Sequence, residues 1–131
     1  NNKSCAETYQ LNFPNTPFIS GDINSKEIQK RIIETDFDLL AAGFPCQSFS
    51  KAGKMIGGSL ELESLLKIIQ KKQPTYILLE NVPQFLNSPK LNKLVKGLLG
   101  YQCVFEIINP KDLKVKQNRP RLFIWGARNI I

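Results

Sequence analysis

The strongest constraint on the fold is the alternation of short apolar runs with amphipathic segments along the chain. Four runs predict strands, at 37–43, 75–79, 101–108 and 121–126. The first two are almost wholly apolar, as strands buried in a parallel sheet are. Apolar residues at helical spacing mark other segments, at 3–12, 25–33, 60–69 and 89–99. A strand–helix–strand–helix order predicts βαβ units, and therefore an α/β fold whose mostly parallel sheet carries helices on both faces.

The residue content excludes several classes of site. The 131 residues include no histidine, which rules out Ser-His-Asp and Cys-His catalysis within this chain. Three cysteines cannot form a four-cysteine zinc shell, so no metal site is expected. No apolar run approaches the roughly 18 residues of a membrane helix, so no membrane partner is expected. Widely spaced cysteines in odd number favour a reducing compartment, and the lack of a C-x-x-C pair argues against a thiol-redox domain.

The charge balance predicts a polyanionic partner. Eighteen Lys and Arg against eleven Asp and Glu give a formal net charge of +7. Such an excess suits binding to nucleic acid. Solubility alone is the alternative explanation.

Two side chains stand where predicted strands end, which is where parallel sheets place their chemistry. Cys46 follows the run at 37–43, and it is either a nucleophile or a small buried apolar side chain. Glu80 follows the run at 75–79, and it either transfers a proton at a ring nitrogen or caps the next turn. Cys5 and Cys103 lie in apolar-periodic segments and are expected to be buried and inert.

Two further pairs are candidates for binding. Arg119 and Arg121 are two residues apart before the last strand, so both guanidinium groups can face one anion or one ring, although a pair of surface arginines is common. Asp22 beside Ile23 could bind an adenine amino group and cover the ring. For Asp22 taken alone, a capped turn is the better interpretation.

In combination and in this order, these residues resemble the DNA (cytosine-5)-methyltransferase family. The resemblance covers nearly the whole chain. Its motifs are Tyr9-x-x-Asn12-Phe13, Gly21-Asp22-Ile23, Gly43-Phe44-Pro45-Cys46-Gln47-Ser48-Phe49-Ser50, Gly53-Lys54, Gly58-x-Leu60, Pro74, Leu79-Glu80-Asn81-Val82 and Gln117-x-Arg119-x-Arg121.

The resemblance implies a Rossmann-like fold that uses S-adenosylmethionine to methylate carbon 5 of a cytosine flipped out of double-stranded DNA. Cys46 would add to ring carbon 6, and Glu80 would hold the base and protonate or hydrogen-bond ring nitrogen 3. Arg119 and Arg121 would together contact the base or the nucleophile region and order the active-site loop. An aromatic ring accepts a methyl group at carbon 5 only after a nucleophile has broken its conjugation, which explains the thiol.

The remaining assignments also follow from the resemblance. Residues expected to bind the cofactor are Asp22, Ile23, Phe44, Pro45 and Leu60. Residues expected to support the active site are Gln47, Ser50, Asn81, Val82 and Gln117. Residues expected to contact DNA phosphates are Lys51 and Lys54. The setting would be a restriction-modification system in bacterial cytoplasm, encoded by the bacterium or a phage.

The sequence departs from the family pattern in several places. Residues 1–131 would form one partial catalytic domain, with the methionine-cradling loop expected before Asn1 and the target-recognition domain expected beyond the chain. The loop between Lys54 and Gly58 is short, and Lys114-Val115-Lys116 replaces the usual Gly-Val/Ile-Pro. The alternative is therefore a truncated, split-subunit or degenerate fragment that binds DNA or a complementing subunit without catalysing alone.

Overall fold

The computed structural model describes residues 2–45 and 59–129, and it divides the chain into two compact units at residue 36. The first unit contains two helices where the sequence predicted them, α1 (Lys3–Asn12) and α2 (Lys26–Glu34). Asn2 caps α1, because its side-chain oxygen accepts a hydrogen bond from the Cys5 amide at 3.2 Å. No residue of α1 is buried and Cys5 is exposed, so the expectation of a buried Cys5 was wrong: apolar periodicity is weak in this helix.

The second unit contains all four predicted strands and both predicted helices. In chain order its elements are β1 (Leu39–Gly43), α3 (Ser59–Lys72), β2 (Tyr76–Asn81), a 3₁₀ helix (Pro83–Asn87), α4 (Lys90–Gly97), β3 (Tyr101–Ile108), a second 3₁₀ helix (Pro110–Leu113) and β4 (Arg121–Arg128). The main difference lies in β2, which continues through Glu80 and Asn81. Both residues pair with neighbours on β4, and Glu80 also pairs with Gly43 on β1.

The four strands form one sheet in the order β1-β2-β4-β3. β1 and β2 are parallel, and β4 is antiparallel to both of its neighbours. β1, β2 and β3 therefore run in one direction, as expected of a mostly parallel sheet, and β4 is reversed between β2 and β3. The connections are consistent with this, since α3 and α4 return the chain between the parallel strands, whereas residues 109–120 join β3 to β4 without an α-helix.

One face of this sheet carries the core. Along β2 and β4, buried residues alternate with more accessible ones, and Ile77, Leu79, Leu122 and Ile124 are almost completely buried. α3 contacts α4, and the first 3₁₀ helix contacts α4 and β4. The opposite face carries exposed apolar side chains, Leu39, Tyr76, Val104 and Trp125. Within the second unit, one face of the sheet is therefore packed and the other carries exposed apolar side chains.

Candidate active site

The candidate site lies at the sheet edge where three strands end and one begins. The parallel register places Gly43 opposite Glu80 at the carboxyl ends of β1 and β2. Because β4 runs the other way, its first residue, Arg121, comes to the same edge and pairs with Ile108 at the end of β3. Polar side chains from distant parts of the sequence therefore meet at one edge.

Glu80 and Arg121 form an ion pair, with Arg121 Nε 3.2 Å from Glu80 Oε1. The side chains are 38% and 27% exposed, so the pair is accessible but not fully solvated. Arg121 also donates from Nη1 to the carbonyl of Pro120 at 2.8 Å. The guanidinium group thereby holds one carboxylate oxygen in a defined position.

Gly43 makes room for this carboxylate. A β-carbon at residue 43 would lie 3.1 Å from Glu80 Oε2, which is tighter than most packing contacts, so the carboxylate would have to shift by a few tenths of an ångström. The strand run predicted from the sequence therefore ends in glycine for a steric reason at this site.

Asn81 joins the strand that carries Glu80 to the chain that follows β1. It is 3% exposed, its Nδ2 donates to the carbonyl of Phe44 at 3.2 Å, and its Oδ1 accepts from the amide of Val82 at 2.7 Å. The Phe44 ring also packs edge-on against Phe85, with ring centroids 5.2 Å apart. The backbone that leads towards Cys46 is thus anchored through a carbonyl and a ring.

Five predicted site residues fall outside the described residues: Cys46, Gln47, Ser50, Lys51 and Lys54. Their assignments stay predictions.

A cleft of about 470 Å³ brings four of the other predicted residues together. Glu80, Gln117, Arg119 and Arg121 supply its polar groups. Its apolar lining comes from Ile108, Pro110, Leu113 and Phe123. A carboxylate, an amide and two guanidinium groups beside apolar walls can hold a flat, polar heterocycle in one orientation.

Asn109 organises this cleft and was missed from the sequence. Its Oδ1 accepts hydrogen bonds from the amides of Lys111 at 3.3 Å and Arg119 at 3.1 Å, and its Nδ2 donates to Asn118 Oδ1 at 2.8 Å. It therefore ties both ends of the β3–β4 loop together. The available signal was the Asn109-Pro110 pair, which is typical of a turn or a helix cap.

We expect Asn109→Ala to loosen this loop without unfolding the sheet. Each lost hydrogen bond is worth about 1 kcal/mol, so the amides of Lys111 and Arg119 should exchange roughly 5- to 30-fold faster. Hydrogen exchange measured residue by residue checks this, with the Leu122 amide as internal reference. Asn109→Asp, which keeps the acceptor oxygen, should retain most of the protection. Unchanged exchange in the alanine variant would contradict the role of Asn109.

The predicted cofactor residues are divided between the two units. In the first unit, Asp22 is exposed and its Oδ1 accepts from the Asn24 amide at 2.9 Å, while the Ile23 carbonyl accepts from the Gln29 side chain at 2.8 Å. In the second unit, Phe44 is buried, whereas Pro45 and Leu60 are exposed.

Cys103 has the inert character expected of it. It is half-buried on β3, and burial raises the pKa of its thiol, so it stays protonated at neutral pH. A protonated thiol is a poor nucleophile.

Comparison with known proteins identifies the family. Residues 1–130 match the family model described as C-5 cytosine-specific DNA methylase. The chain belongs to this family. Membership of this family explains why the chain has an α/β fold and why its sequence motifs resemble those of the family.

Individual relatives agree with this C-5 cytosine methylase assignment. The Type II methyltransferase M.Bsp6I of a Bacillus species is 39% identical, over 98% of this chain and 43% of its own length. The orphan methyltransferase M.SPRI of Bacillus phage SPR is 39% identical, over 91% of this chain and 27% of its own. The S. pombe Dnmt2 methyltransferase structure superposes with a TM-score of 0.83 at 26% identity, covering 99% of this chain and 42% of that one. The chain therefore spans less than half the length of these relatives.

Two negative findings concern the described residues of this family member. None of their helices is both long and apolar enough to cross a membrane. Within residues 2–45 and 59–129, no three acidic or cysteine side chains cluster as metal ligands would.

Proposed function

We propose that this protein methylates carbon 5 of cytosine in double-stranded DNA through a covalent Cys46 adduct. The observation that carries the proposal is the Glu80–Arg121 pair in a cleft shared with Gln117 and Arg119. This cleft lies at the sheet edge where β1 ends. The last residue of β1, Gly43, is three residues before Cys46 in the sequence. Family membership adds support, since relatives such as M.Bsp6I are named methyltransferases.

The proposed chemistry assigns one task to each group. The target cytosine leaves the DNA stack and enters the cleft, where Glu80 hydrogen-bonds or protonates ring nitrogen 3. The Cys46 thiolate then forms a bond to ring carbon 6, and the electron pair of the 5,6 double bond makes carbon 5 nucleophilic. After methylation, carbon 5 loses its proton, the double bond re-forms and the thiolate leaves.

The arginines are proposed to act through position and charge. Arg121 holds Glu80 Oε1, which directs the carboxylate towards the base. Arg119 lines the same cleft and adds a second guanidinium group able to contact the base or a nearby phosphate. Asn81 supports this arrangement through its bonds to Phe44 and Val82.

The residues assigned to the cofactor suit S-adenosylmethionine chemically. A carboxylate such as Asp22 accepts a hydrogen bond from an adenine amino group, and Ile23 offers an apolar surface for the ring. Phe44, Pro45 and Leu60 supply further apolar surface in the second unit. When bound, S-adenosylmethionine supplies the methyl group that carbon 5 receives.

The wider context is proposed on the same basis. We assign both units to one partial catalytic domain, and Lys51 and Lys54 to contacts with DNA phosphates. A bacterial or phage-encoded enzyme of the bacterial cytoplasm, acting in DNA modification, is consistent with relatives from Bacillus and from a Bacillus phage.

A trapping experiment tests the proposed function. A DNA duplex containing 5-fluorocytosine should form a stable covalent complex when S-adenosylmethionine is present, because fluorine on carbon 5 cannot leave as a proton does. Denaturing mass spectrometry should detect the adduct with the wild-type protein and with Cys103→Ser, and should not detect it with Cys46→Ser. An adduct that survives Cys46→Ser would refute the assignment of the nucleophile.

A further inference from the structure

The loop between β3 and β4 also carries charged side chains that do not line the cleft. Pro110, Leu113, Gln117 and Arg119 face the cleft. Lys111, Lys114 and Lys116 lie between them in the sequence of the same loop and are exposed. We name these three lysines the basic rim.

The basic rim belongs to the most positively charged stretch near the cleft. Residues 110–121 contain five Lys or Arg and one acidic residue, Asp112, which is a net charge of +4. The whole chain has a formal charge of +7, so more than half of it arises in these 12 residues. Such a concentration of charge beside a cleft attracts an anion to that position.

Lys114, the middle residue of the basic rim, has an unfavourable backbone conformation for a residue with a side chain. Lys114 has φ 63° and ψ 19°, a left-handed conformation that glycine adopts without strain and lysine does not. This residue ends the 3₁₀ helix, where its amide donates to the carbonyls of Lys111 and Pro110. Gln73, which follows α3 and does not line the cleft, has the same left-handed conformation with φ 52°, as residues that end helices commonly do. The conformation of Lys114 therefore reflects the end of its helix, and glycine can replace it there without strain.

We propose that the basic rim binds phosphodiester groups of the DNA strand whose target base enters the cleft. The inference rests on the proposed function and extends it to residues not assigned by the sequence. Lysines act as flexible point charges, so they would position the duplex without reading its sequence. The cleft would then hold the base while the rim holds the backbone beside it.

The test measures DNA affinity of the purified protein against salt concentration. Fluorescence anisotropy with a duplex of roughly 20 base pairs, between about 50 and 200 mM NaCl, gives the slope of log K against log salt. Each lost phosphate contact should reduce this slope by about 0.9, so the triple change of all three rim lysines to Gln should reduce it by roughly 2 to 3. The loss of DNA affinity should be equal on duplexes of unrelated sequence, because phosphate contacts are independent of sequence.

Two variants separate charge from stability. Lys71→Gln removes one charge from the end of α3, which leads to the opposite end of β2, and it should leave the slope unchanged, whereas Lys114→Gly, which also removes one charge, should reduce the slope by about 0.9. Lys114→Gly removes the charge and relieves the backbone, so its melting temperature should stay equal or rise by up to roughly 5 °C while its DNA affinity falls. Binding loss in a protein at least as stable as the wild type cannot come from unfolding.

The outcomes distinguish this inference from the proposed function. Normal adduct formation with an unchanged salt slope in the triple variant would overturn the basic rim alone. Absence of any DNA binding by the wild-type protein would overturn both proposals. A reduction of the slope with Lys71→Gln equal to the reduction with Lys114→Gly would show a general charge effect and would also reject a specific rim.

Discussion

Glu80→Gln is expected to reduce the rate of methyl transfer by about 10²- to 10⁴-fold while leaving the fold intact. Glutamine has nearly the same size as glutamate, so the contacts of the side chain with its surroundings are kept. It cannot exchange a proton with ring nitrogen 3, and it loses the ion pair that Arg121 Nε makes with Glu80 Oε1. The chemical step should therefore fail although the cleft remains.

Single-turnover methylation with saturating DNA and S-adenosylmethionine measures this effect. Glu106→Gln is the matched control, because Glu106 pairs with Phe123 in the same cross-strand row as Glu80 but lies two strands away, on β3. That variant should retain wild-type rates, and thermal unfolding should be similar for both. If the rate of Glu80→Gln is within about threefold of the wild-type rate, Glu80 does not transfer the proton, since general acid–base catalysis contributes about 10²-fold or more.

Asn81→Ala is expected to lower the free energy of unfolding by roughly 2–4 kcal/mol, because two backbone groups lose their partner. The Phe44 carbonyl would lose the Nδ2 donor and the Val82 amide would lose the Oδ1 acceptor, at a site that is 3% exposed. A buried polar group without a partner costs about 1–3 kcal/mol. Few substitutions of single polar residues in the second unit should lower the free energy of unfolding further.

Urea unfolding measures the loss, and Asn92→Ala is the matched control. Asn92 is exposed on α4, so removal of the same side chain there should change stability by less than about 0.5 kcal/mol. Trapping by 5-fluorocytosine DNA should also slow in folded Asn81→Ala protein, because Phe44 lies two residues before Cys46. Equal stabilities of the two variants would show that the Phe44 and Val82 bonds contribute little.

The sequence predicted which residues form the candidate site better than it predicted the contacts between them. Glu80 and Arg121 were each recognised at a strand end, but no local pattern indicated that they pair, since they lie 41 residues apart. Their contact requires β4 to insert antiparallel between β2 and β3, in a register that brings Phe123 opposite Glu80. Asn109 was missed because an Asn-Pro turn is common and its bond to the Arg119 amide spans ten residues.

The sequence by itself determined the elements and the α/β class, because hydrophobic periodicity is a local property of consecutive side chains. It also supplied the resemblance to the cytosine-5 methyltransferase family, which the match to the family model confirms. Only the tertiary structure decided the strand order, the pairing of Glu80 with Arg121, the anchoring of Phe44 by Asn81 and the exposure of Cys5. These features depend on register and packing between residues distant in the chain, and no window of the sequence contains both partners.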